Sequence, residues 1–525
     1  GGAGSWFDTA RWSLSSGGPG GECLPTPVDN VFFDANSFTA PNQFVNADDG
    51  RYAYCHNMTW EGVTQTPRLS MYILNAFGSV TLVPQMTVNN FNNLRLRSEN
   101  PGQTLTTAGH RFFNFLLAGS GSWIVQDEVR ASFIGHENGT FNSNDAPIFI
   151  QYYYYAASTA SPKLLQLGES YWMIEGALPY SFAVFTNNLT IEPGTSVIEM
   201  QHPNAQIESS GTVSFHNALF SNIEGTSTVQ VRFGNTLTFN RLEFRNNGTM
   251  LGQSIADSLI FSAGKAYRLD VNHNQRVNEY FQVLGNNCNS IELSSTLAGM
   301  RSVVEMNGGN VRGDFIQMRD QEGRGSTQFF AGANSTNIGN SNINWIFDTP
   351  REYAEEGILG EDVVLCNTNA LVLDANTFNP NEQYRWQDGS TNATFNVTQP
   401  GIYWVEVSYD NNCVLRDSVN VLPAQAFAPA LPGDTDLCEG ETLLLDPGLG
   451  LVGVRFLWQD GSTEPTFTVT QAGTYKVTLE LSGCEASDSL EVRYTSTPVF
   501  DLGAAQTLCP GETTMLNANY PNMAE

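Results

Sequence analysis

The sequence is poor in lysine and in charged residues of any kind. Lys163, Lys265 and Lys476 are the only lysines in 525 residues, and charged side chains make up 15 % of the chain. Acidic residues number 53 against 24 lysines and arginines, which gives a formal net charge of −29. Such an acidic surface repels nucleic acid and anionic lipid, so we expect neither as a partner.

Several motifs that would indicate catalysis or membrane insertion are also missing. No apolar run of about 18 residues occurs, so we expect no membrane insertion, and no signal peptide is recognisable at the start. The six histidines are scattered, and the chain contains no HExxH, GxSxG or CxxC pattern. We therefore predict that the protein is not an enzyme and has no cofactor, with calcium left open as a bound ion.

What the sequence does contain is a repeated unit near the C-terminus. The segment 386–391 (Trp-Gln-Asp-Gly-Ser-Thr) recurs 72 residues later at 458–463, and Cys366 and Cys413 recur as Cys438 and Cys484. A third copy begins around Cys509. Repetition at this period is typical of arrays of small domains, and we expect the natural chain to continue beyond residue 525.

Each repeat alternates short apolar and polar positions, which indicates strands with one buried side. Asp-Gly pairs at 388–389 and 460–461 predict tight turns between them. Six or seven such strands in about 70 residues predict an antiparallel β-sandwich. We expect the repeated tryptophan, Trp386 or Trp458, to fill the core, and Tyr403 or Tyr475 to act as a corner tyrosine.

Eight cysteines suit an oxidising compartment. Spacing within each repeat favours the pairs Cys366–Cys413 and Cys438–Cys484, with buried free thiols as the alternative. A crosslink across a loop of that length contributes about 4 kcal/mol in the chain-entropy model. The remaining predictions are a pair between Cys23 and Cys55, an unpaired Cys288, and a partner for Cys509 beyond residue 525.

The region from about 60 to 347 contains many short alternating strands and no helical pattern. Segment 229–233 (Val-Gln-Val-Arg-Phe) is an example, and Asn or Gly residues occupy the turns. Irregular spacing of comparable strands favours a right-handed parallel β-helix, with a large β-sandwich or jelly roll as the alternative. The predicted ranges are an N-terminal cap (1–60), a β-solenoid (61–348), a linker (349–361), two repeats (362–423 and 431–494) and the start of a third (498–525).

Two groups of polar residues are candidates for chemistry. Asp314, Arg319, Asp320, Glu322 and Arg324 are close in sequence and could bind calcium and a uronate on a solenoid face, whereas surface ion pairs are the simpler interpretation. The segment 270–274 (Asp-Val-Asn-His-Asn) matches the first positions of a calcium loop, but it lacks the required glycine and glutamate, so we interpret it as a turn.

The repeat resembles the PKD/immunoglobulin-like repeats of secreted Bacteroidota surface proteins, through segments 437–441, 458–463 and 472–475. The opening segment 28–34 and the segments 287–296 and 332–347 resemble a secreted β-solenoid domain of the same organisms, in which the position of Cys288 holds a single cysteine. The resemblance implies export by the type IX secretion machinery and O-glycosylation at Asp-Ser/Thr motifs. The corresponding hydroxyl residues here are Ser418, Ser489, Ser258 and Thr9.

Taken together, these features predict an all-β chain with a parallel β-helix-like domain followed by tandem immunoglobulin/PKD-like β-sandwiches. The resemblance implies a secreted, extracellular protein of the cell surface, either adhesive or structural and related to gliding-motility proteins. Its expected partners are surface glycans, other surface proteins or further copies of itself. The alternatives are a polysaccharide-degrading β-helix enzyme carried on a stalk of repeats, and a subunit of a surface filament.

Overall fold

The computed structural model describes residues 4–89, 93–176, 181–186, 188–347, 358–360, 362–365, 371–377, 381–409, 413–423, 428–448, 454–481, 484–495, 502 and 504–516. This part of the chain contains strands and two short 3-10 helices, Thr9–Arg11 and Ile338–Asn340, and no α-helix. None of its helices is long and apolar enough to cross a membrane. The chain divides into two compact units, residues 1–354 with 377–381, and residues 355–376 with 382–525.

The strands of the first unit, in chain order, are β1 (Gly4–Ser5), β2 (Val31–Phe33), β3 (Phe44–Cys55), β4 (Met58–Trp60), β5 (Arg68–Ala76), β6 (Val80–Thr81), β7 (Thr87–Val88), β8 (Asn93–Leu96), β9 (Gln103–Thr106), β10 (Arg111–Leu117), β11 (Ser122–Val125), β12 (Val129–His136), β13 (Gly139–Asn142), β14 (Ile148–Ala156), β15 (Lys163–Gln166), β16 (Tyr171–Ile174), β17 (Phe182–Val184), β18 (Leu189–Glu192), β19 (Val197–Met200), β20 (Gln206–Ser209), β21 (Val213–Phe220), β22 (Thr226–Val231), β23 (Thr236–Phe244), β24 (Asn247–Leu251), β25 (Gln253–Phe261), β26 (Ala266–Leu269), β27 (Gln275–Leu284), β28 (Ile291–Ser295), β29 (Ser302–Glu305), β30 (Asn310–Asp314), β31 (Ile316–Arg319), β32 (Gln321–Arg324), β33 (Phe329–Phe330), β34 (Thr336–Asn337) and β35 (Trp345–Ile346).

The strands of the second unit are β36 (Val363–Leu365), β37 (Leu371–Asp374), β38 (Gln383–Trp386), β39 (Thr394–Val397), β40 (Gly401–Ser408), β41 (Val414–Pro423), β42 (Thr435–Cys438), β43 (Leu443–Leu445), β44 (Arg455–Trp458), β45 (Phe467–Val469), β46 (Gly473–Leu481) and β47 (Cys484–Thr495).

The first unit is a β-solenoid of about 13 turns. Strands β2, β4, β6, β9, β11, β13, β15 and β18 form one sheet in the N-terminal half of the solenoid, and β33 pairs with β35 in a separate two-stranded sheet. The other named strands of this unit join a 25-stranded sheet. Every pairing between named strands in this unit is parallel, for example β10 with β12 and β12 with β14. A jelly roll is built from antiparallel strands, so the solenoid prediction is confirmed.

Alternation along each strand sends every second side chain into the solenoid, where it stacks on its counterpart in the next coil. Phe220 and Phe244, at paired positions of β21 and β23, stack with centroids 4.7 Å apart. Contacts also join consecutive strands that do not pair with each other, since Phe261 of β25 and Tyr267 of β26 stack at 3.9 Å. Each such aromatic contact contributes about 0.5–1.5 kcal/mol beyond the area that it buries. The core is therefore one continuous column.

A buried histidine network lies inside this column. The Nε2 atom of His136 is 2.9 Å from the Gly139 carbonyl oxygen, which can only accept, so Nε2 carries the proton. Its Nδ1 atom then accepts from the Tyr154 hydroxyl at 3.0 Å. Burial lowers the His136 pKa to about 4. The hydrogen bond to Gly139 opposes this shift, and the charge of Lys163 adds to it. The imidazole is therefore neutral in the folded protein near neutral pH.

The solenoid begins earlier than the range that we predicted for it. Strands β2 and β3, within the range assigned to a cap, already pair in parallel with β4 and β5. The segment that precedes them adds the short strand β1 beside β3 and buries Trp6. Trp12 packs edge-on against Trp6 with centroids 4.8 Å apart. The parallel ladders therefore already include residues 31–60, and β1 adds to the same sheet as β3.

Each repeat in the second unit has a four-stranded sheet and a two-stranded sheet. The larger sheets run β36-β41-β40-β38 and β42-β47-β46-β44, and the smaller ones pair β37 with β39 and β43 with β45. Leu445 and Val469 of a small sheet pack with Trp458, Val477 and Leu490 of the large sheet in one buried cluster. The predicted sandwich arrangement of two sheets around a tryptophan is present.

The tyrosines that follow the repeated glycines hold strand corners as predicted. Tyr403 donates its hydroxyl hydrogen bond to the Gln399 carbonyl at 2.7 Å, and Tyr475 donates to the Gln471 carbonyl at 2.8 Å. Both tyrosines therefore bond to the backbone four residues earlier, which is the pattern of a tyrosine corner.

The predicted pairing of Cys438 with Cys484 is wrong. Cys438 is a free, exposed thiol, whereas Cys484 is buried and disulfide-bonded. Cys438 lies opposite Thr495, at the far end of β47 from Cys484. Eleven residues of strand separate those ends by about 36 Å, whereas a disulfide needs Cα atoms within about 7 Å. The bond of Cys484 therefore leaves its own sandwich.

The predicted pairing of Cys366 with Cys413 involves Cys366, which lies outside the described residues. Cys413 is disulfide-bonded. Leu365, the neighbour of Cys366 in the chain, lies opposite Pro423 at the far end of β41 from Cys413. This geometry matches that of the second repeat.

Two further cysteine predictions are also wrong. Cys23 and Cys55 are both free, because Cys23 is exposed whereas Cys55 faces the solenoid core with no exposed surface. Burial raises the pKa of the Cys55 thiol to about 12. Cys288, predicted as an unpaired packed thiol, is disulfide-bonded. It is only half-buried, in the turn between β27 and β28, where a second sulfur can reach it.

Candidate binding face

The most distinctive surface of the solenoid is a set of outward-pointing aromatic side chains, which we call the aromatic face. Its members are Tyr52, Tyr72, Phe113, Phe133, Tyr152, Tyr153 and Tyr155. They lie on strands β3, β5, β10, β12 and β14 of one sheet, in which β3 pairs with β5, β10 with β12 and β12 with β14, while β8 lies between β5 and β10. Tyr52, Tyr72 and Phe113 are 44 %, 48 % and 36 % exposed, and the other four are half-buried.

Neighbouring coils bring these rings into contact. Phe133 stacks on Tyr152 with centroids 4.7 Å apart, and it meets Phe113 edge-on at 5.3 Å. Tyr52 and Tyr72 stack at 6.4 Å. The rings follow the solenoid axis because parallel strands in register place equivalent side chains about 4.8 Å apart.

A cation lies beside one of these rings. The guanidinium of Arg95, on β8, is 5.7 Å from the centre of the Tyr52 ring. Arg95 forms no ion pair within the described part of the chain, unlike Arg130, which pairs with Glu128 and lies over the Phe149 ring. Such a cation–π contact contributes about 0.5–1 kcal/mol at an exposed site. Arg95 keeps donors available to a ligand.

Sequence reasoning missed this face, although a signal was present. The run Tyr152-Tyr153-Tyr154-Tyr155 breaks the alternation of apolar and polar residues. Tyr154 points inward and is fully buried, so its two neighbours must point outward. Aromatic residues at outward positions of a strand indicate either packing between coils or a contact surface.

The acidic group predicted from the sequence does not converge on one place. Asp314 and Asp320 lie at opposite ends of β31, about 20 Å apart. Each binds a neighbouring loop: Asp314 accepts from the Asn334 backbone N–H at 3.0 Å, and Asp320 from the Gly299 backbone N–H at 2.8 Å. The other acid of the group, Glu322, pairs with Arg324 at 2.6 Å. The two aspartates bind loops.

A second pair of carboxylates, Glu199 and Glu243, lies on outward positions two coils apart. Burial alone would raise the pKa of Glu199, but hydrogen bonds from Ser221, Tyr171 and Gln201 outweigh it and keep that pKa below its usual value. Likewise, Arg245 and Arg241 keep the pKa of Glu243 low despite burial. Both groups are ionised near neutral pH, so neither suits the role of a general acid.

The candidate calcium loop is a turn closed by its own side chains. Asp270 accepts from the Gly252 backbone N–H at 2.8 Å and lies 2.8 Å from Nδ1 of His273. Nowhere in the described ranges do three His, Cys, Asp or Glu side chains come together as metal ligands. Calcium binding stays a prediction.

The four candidate glycosylation sites differ in exposure. Ser418 and Ser489 are exposed at equivalent places on β41 and β47, and Thr9 is exposed in the first 3-10 helix. Ser258 is half-buried on β25 between Arg241 and Tyr280 of the adjacent coils. Modification at any of them stays a prediction.

A cavity of about 760 Å³ lies between the N-terminal segment and the first coil, lined by Trp12, Asp34 and Asn36 among others. The polar groups in it bond to one another: Asn36 donates to the Ser16 hydroxyl at 3.0 Å, and Ser37 to Asp34 at 3.0 Å. The Asn36–Ser16 bond ties the N-terminal segment to the loop after β2, whereas the Ser37–Asp34 bond lies within that loop.

No protein-family model matches the chain, and no curated protein matches it. Among the solved structures that match part of it is "Crystal structure of DIP-gamma IG1+IG2", with 12 % identity, 26 % of this chain and 93 % of that one covered, and a TM-score of 0.15. The N-terminal four Ig domains of Dscam1 isoform 9.44 match with 12 % identity, 30 % and 49 % coverage and a TM-score of 0.15.

Extracellular domains 3–5 of Drosophila OTK match with 12 % identity, 30 % and 71 % coverage and a TM-score of 0.13. The chain thus spans about half the length of the Dscam1 structure that it matches. Several matches are named for immunoglobulin domains, but TM-scores this low carry no conclusion about function.

Proposed function

We propose that the chain is a secreted structural and adhesive protein of the cell surface. The exposed aromatic face carries this proposal. Two groups of partly exposed, touching rings, Tyr52 with Tyr72 and Phe113 through Tyr155, lie on one sheet. Exposed apolar surface of this kind is what proteins use for contact with a partner. The solenoid would present the face, and the sandwiches would act as a stalk.

The organisation of the chain supports a binding role for the solenoid and a stalk role for the sandwiches. The sandwiches are small repeated units, and a Pro-containing segment, with Pro429 and Pro432, lies between the two of them and limits its flexibility. We assign the repeats to the immunoglobulin/PKD-like type and the solenoid to the right-handed parallel β-helix type. A disulfide at Cys484 that leaves its own sandwich fits a stalk in an oxidising, extracellular setting.

The finer assignments come from the resemblance described above. They are a Bacteroidota origin, export by the type IX secretion machinery, a link to gliding motility and O-glycosylation. The partners that we propose are surface glycans or other surface proteins, and self-association remains part of the proposal. We propose no catalytic step, because Asp314 and Asp320 bind separate loops and the pKa values of Glu199 and Glu243 lie below their usual range.

The proposal is tested by incubating the full chain with immobilised surface polysaccharides and surface proteins. We expect retention on the surface with no change in the length of any polysaccharide. Release of shortened products would replace adhesion with the β-helix enzyme alternative, and Asp320→Asn would then test the acid. Growth of the chain into filaments without retention would favour the filament subunit.

A further inference from the structure

We propose that the aromatic face binds an uncharged polysaccharide lying along the solenoid axis, with the Tyr155 ring as a flat stacking platform. This inference rests on the proposed adhesive function and names its ligand. Gly135, directly beneath Tyr155, makes the platform possible.

Gly135 and Tyr155 occupy paired positions of β12 and β14. A Cβ atom on Gly135 would lie 2.6 Å from the Tyr155 Oη, 2.7 Å from its Cζ and 2.7 Å from Cδ1 of Leu116, so it would meet the Tyr155 ring and the Leu116 side chain together. The phenol end of the ring therefore lies over the backbone of the neighbouring strand, in the space that any other residue would fill. Tyr155 is half-buried, so part of its ring remains open for a second flat ring to stack on.

The rings and their polar neighbours match the two surfaces of a sugar. A pyranose ring has an apolar face of C–H groups and an edge of hydroxyls. On the protein, Phe133 and Tyr153 supply aromatic surface, their centroids 4.9 Å apart. Burial raises the pKa of Tyr155, and the charges of Glu137 and Tyr153 add to this effect, while the charge of Arg95 opposes it. The Tyr155 hydroxyl therefore stays protonated and can donate a hydrogen bond.

Charge favours an uncharged polymer over an anionic one. The chain carries a net charge of −29, which repels a polyanion as it approaches. Arg95 is the cation beside the rings, and a guanidinium donates to sugar hydroxyls as well as to carboxylates. A protein partner would instead require a dry apolar centre, whereas this face mixes rings with amides such as Asn93 and Gln151.

The direction of the ligand follows from the direction of the rings. Contacts from Phe113 to Phe133 and on to Tyr152 cross three successive coils. The coil spacing of about 4.8 Å sets the step between rings. A linear chain of pyranose rings parallel to the axis can therefore meet one ring after another.

The test uses the full chain and affinity electrophoresis in gels that contain mixed-linkage β-glucan, xyloglucan, galactomannan or alginate. We expect retardation by at least one neutral polymer and none by alginate. Gly135→Ala should weaken binding about three- to tenfold, because the added methyl displaces the Tyr155 ring without removing it. Gly308→Ala, where a Cβ meets no neighbour, is the matched control and should bind as the wild type does.

A second pair of variants guards against misfolding. Phe133→Leu keeps an apolar side chain and removes the ring, so it should weaken binding about tenfold while circular dichroism and Tm stay near wild type. Phe233→Ala removes an aromatic residue that is 85 % exposed in the turn after β22, and it should leave binding unchanged.

Three results of the gel experiment would overturn the inference. They are no retardation by any neutral polymer, stronger retardation by alginate, or equal binding by the wild type, Gly135→Ala and Phe133→Leu. Capture by an immobilised surface protein alone would also overturn the ligand class. If the chain is retained on surfaces without shortening a polysaccharide, and these variants do not change that retention, the adhesive function stands and only the proposed ligand fails. Release of shortened polysaccharide would instead contradict the adhesive function itself.

Discussion

The two cysteines of the second sandwich should behave in opposite ways when each is replaced by serine. Cys438 is exposed and free, so Cys438→Ser should change the free energy of unfolding by no more than about 0.5 kcal/mol. Cys484→Ser removes a disulfide, which typically contributes about 2–4 kcal/mol. The difference arises because about 36 Å of strand β47 separates the two positions.

Amide hydrogen exchange of strands β43–β47 in the full chain measures this difference locally. A loss of about 3 kcal/mol corresponds to roughly a hundredfold increase in opening of the Cys484→Ser sandwich. Cys438→Ser is the matched control, since it changes one sulfur of the same sandwich. Equal destabilisation by both substitutions would show that the cysteines are bonded to each other and would refute the geometry.

Thiol labelling checks the same assignment without mutation. Cys23, Cys438 and Cys509 should react with a maleimide in the folded protein, because all three are exposed free thiols. Cys55 should react only after unfolding, and Cys484 only after reduction. Protection of Cys438 until reduction would contradict the structure.

The remaining predictions concern corners, pH and modification. Tyr475→Phe and Tyr403→Phe should each cost about 1 kcal/mol in urea unfolding, because each removes one hydroxyl hydrogen bond to a carbonyl four residues earlier; no loss in either would mean that the corners are incidental. Unfolded histidine takes up a proton below about pH 6.5, but folded His136 does so only near pH 4. Stability should therefore fall by about 3 kcal/mol as pH drops through this window, and His136→Gln should flatten that slope; an unchanged slope would contradict a neutral buried imidazole. Site mapping of protein secreted by its natural host should find Ser418 and Ser489 modified together, since they are equivalent and exposed; an unmodified peptide at both would end the glycosylation proposal.

Several features of the sandwiches were predictable because they depend on local pattern. Alternation of apolar residues predicted strands such as β38 and β40. In a unit of two sheets, the repeated Trp386 was expected in the core and Tyr403 at a strand corner, and both lie there. The disulfides were not predictable, because sequence separation says nothing about which end of a strand a cysteine occupies. Cys438 and Cys484 are 46 residues apart in sequence and at opposite ends of one sheet.

The sequence by itself determined the all-β composition, the repeat and the column of inward side chains, since these follow from a period of two and from tight turns. Tertiary structure alone decided which residues meet across coils. It separated Asp314 from Asp320, which are close in sequence, because a strand lies between their corners. It joined Tyr155 to Gly135 and Phe133 to Phe113, about 20 residues apart, because parallel coils place equivalent positions side by side. A surface to which each coil contributes one or two side chains depends on the register between neighbouring coils. That register exists only in the folded chain.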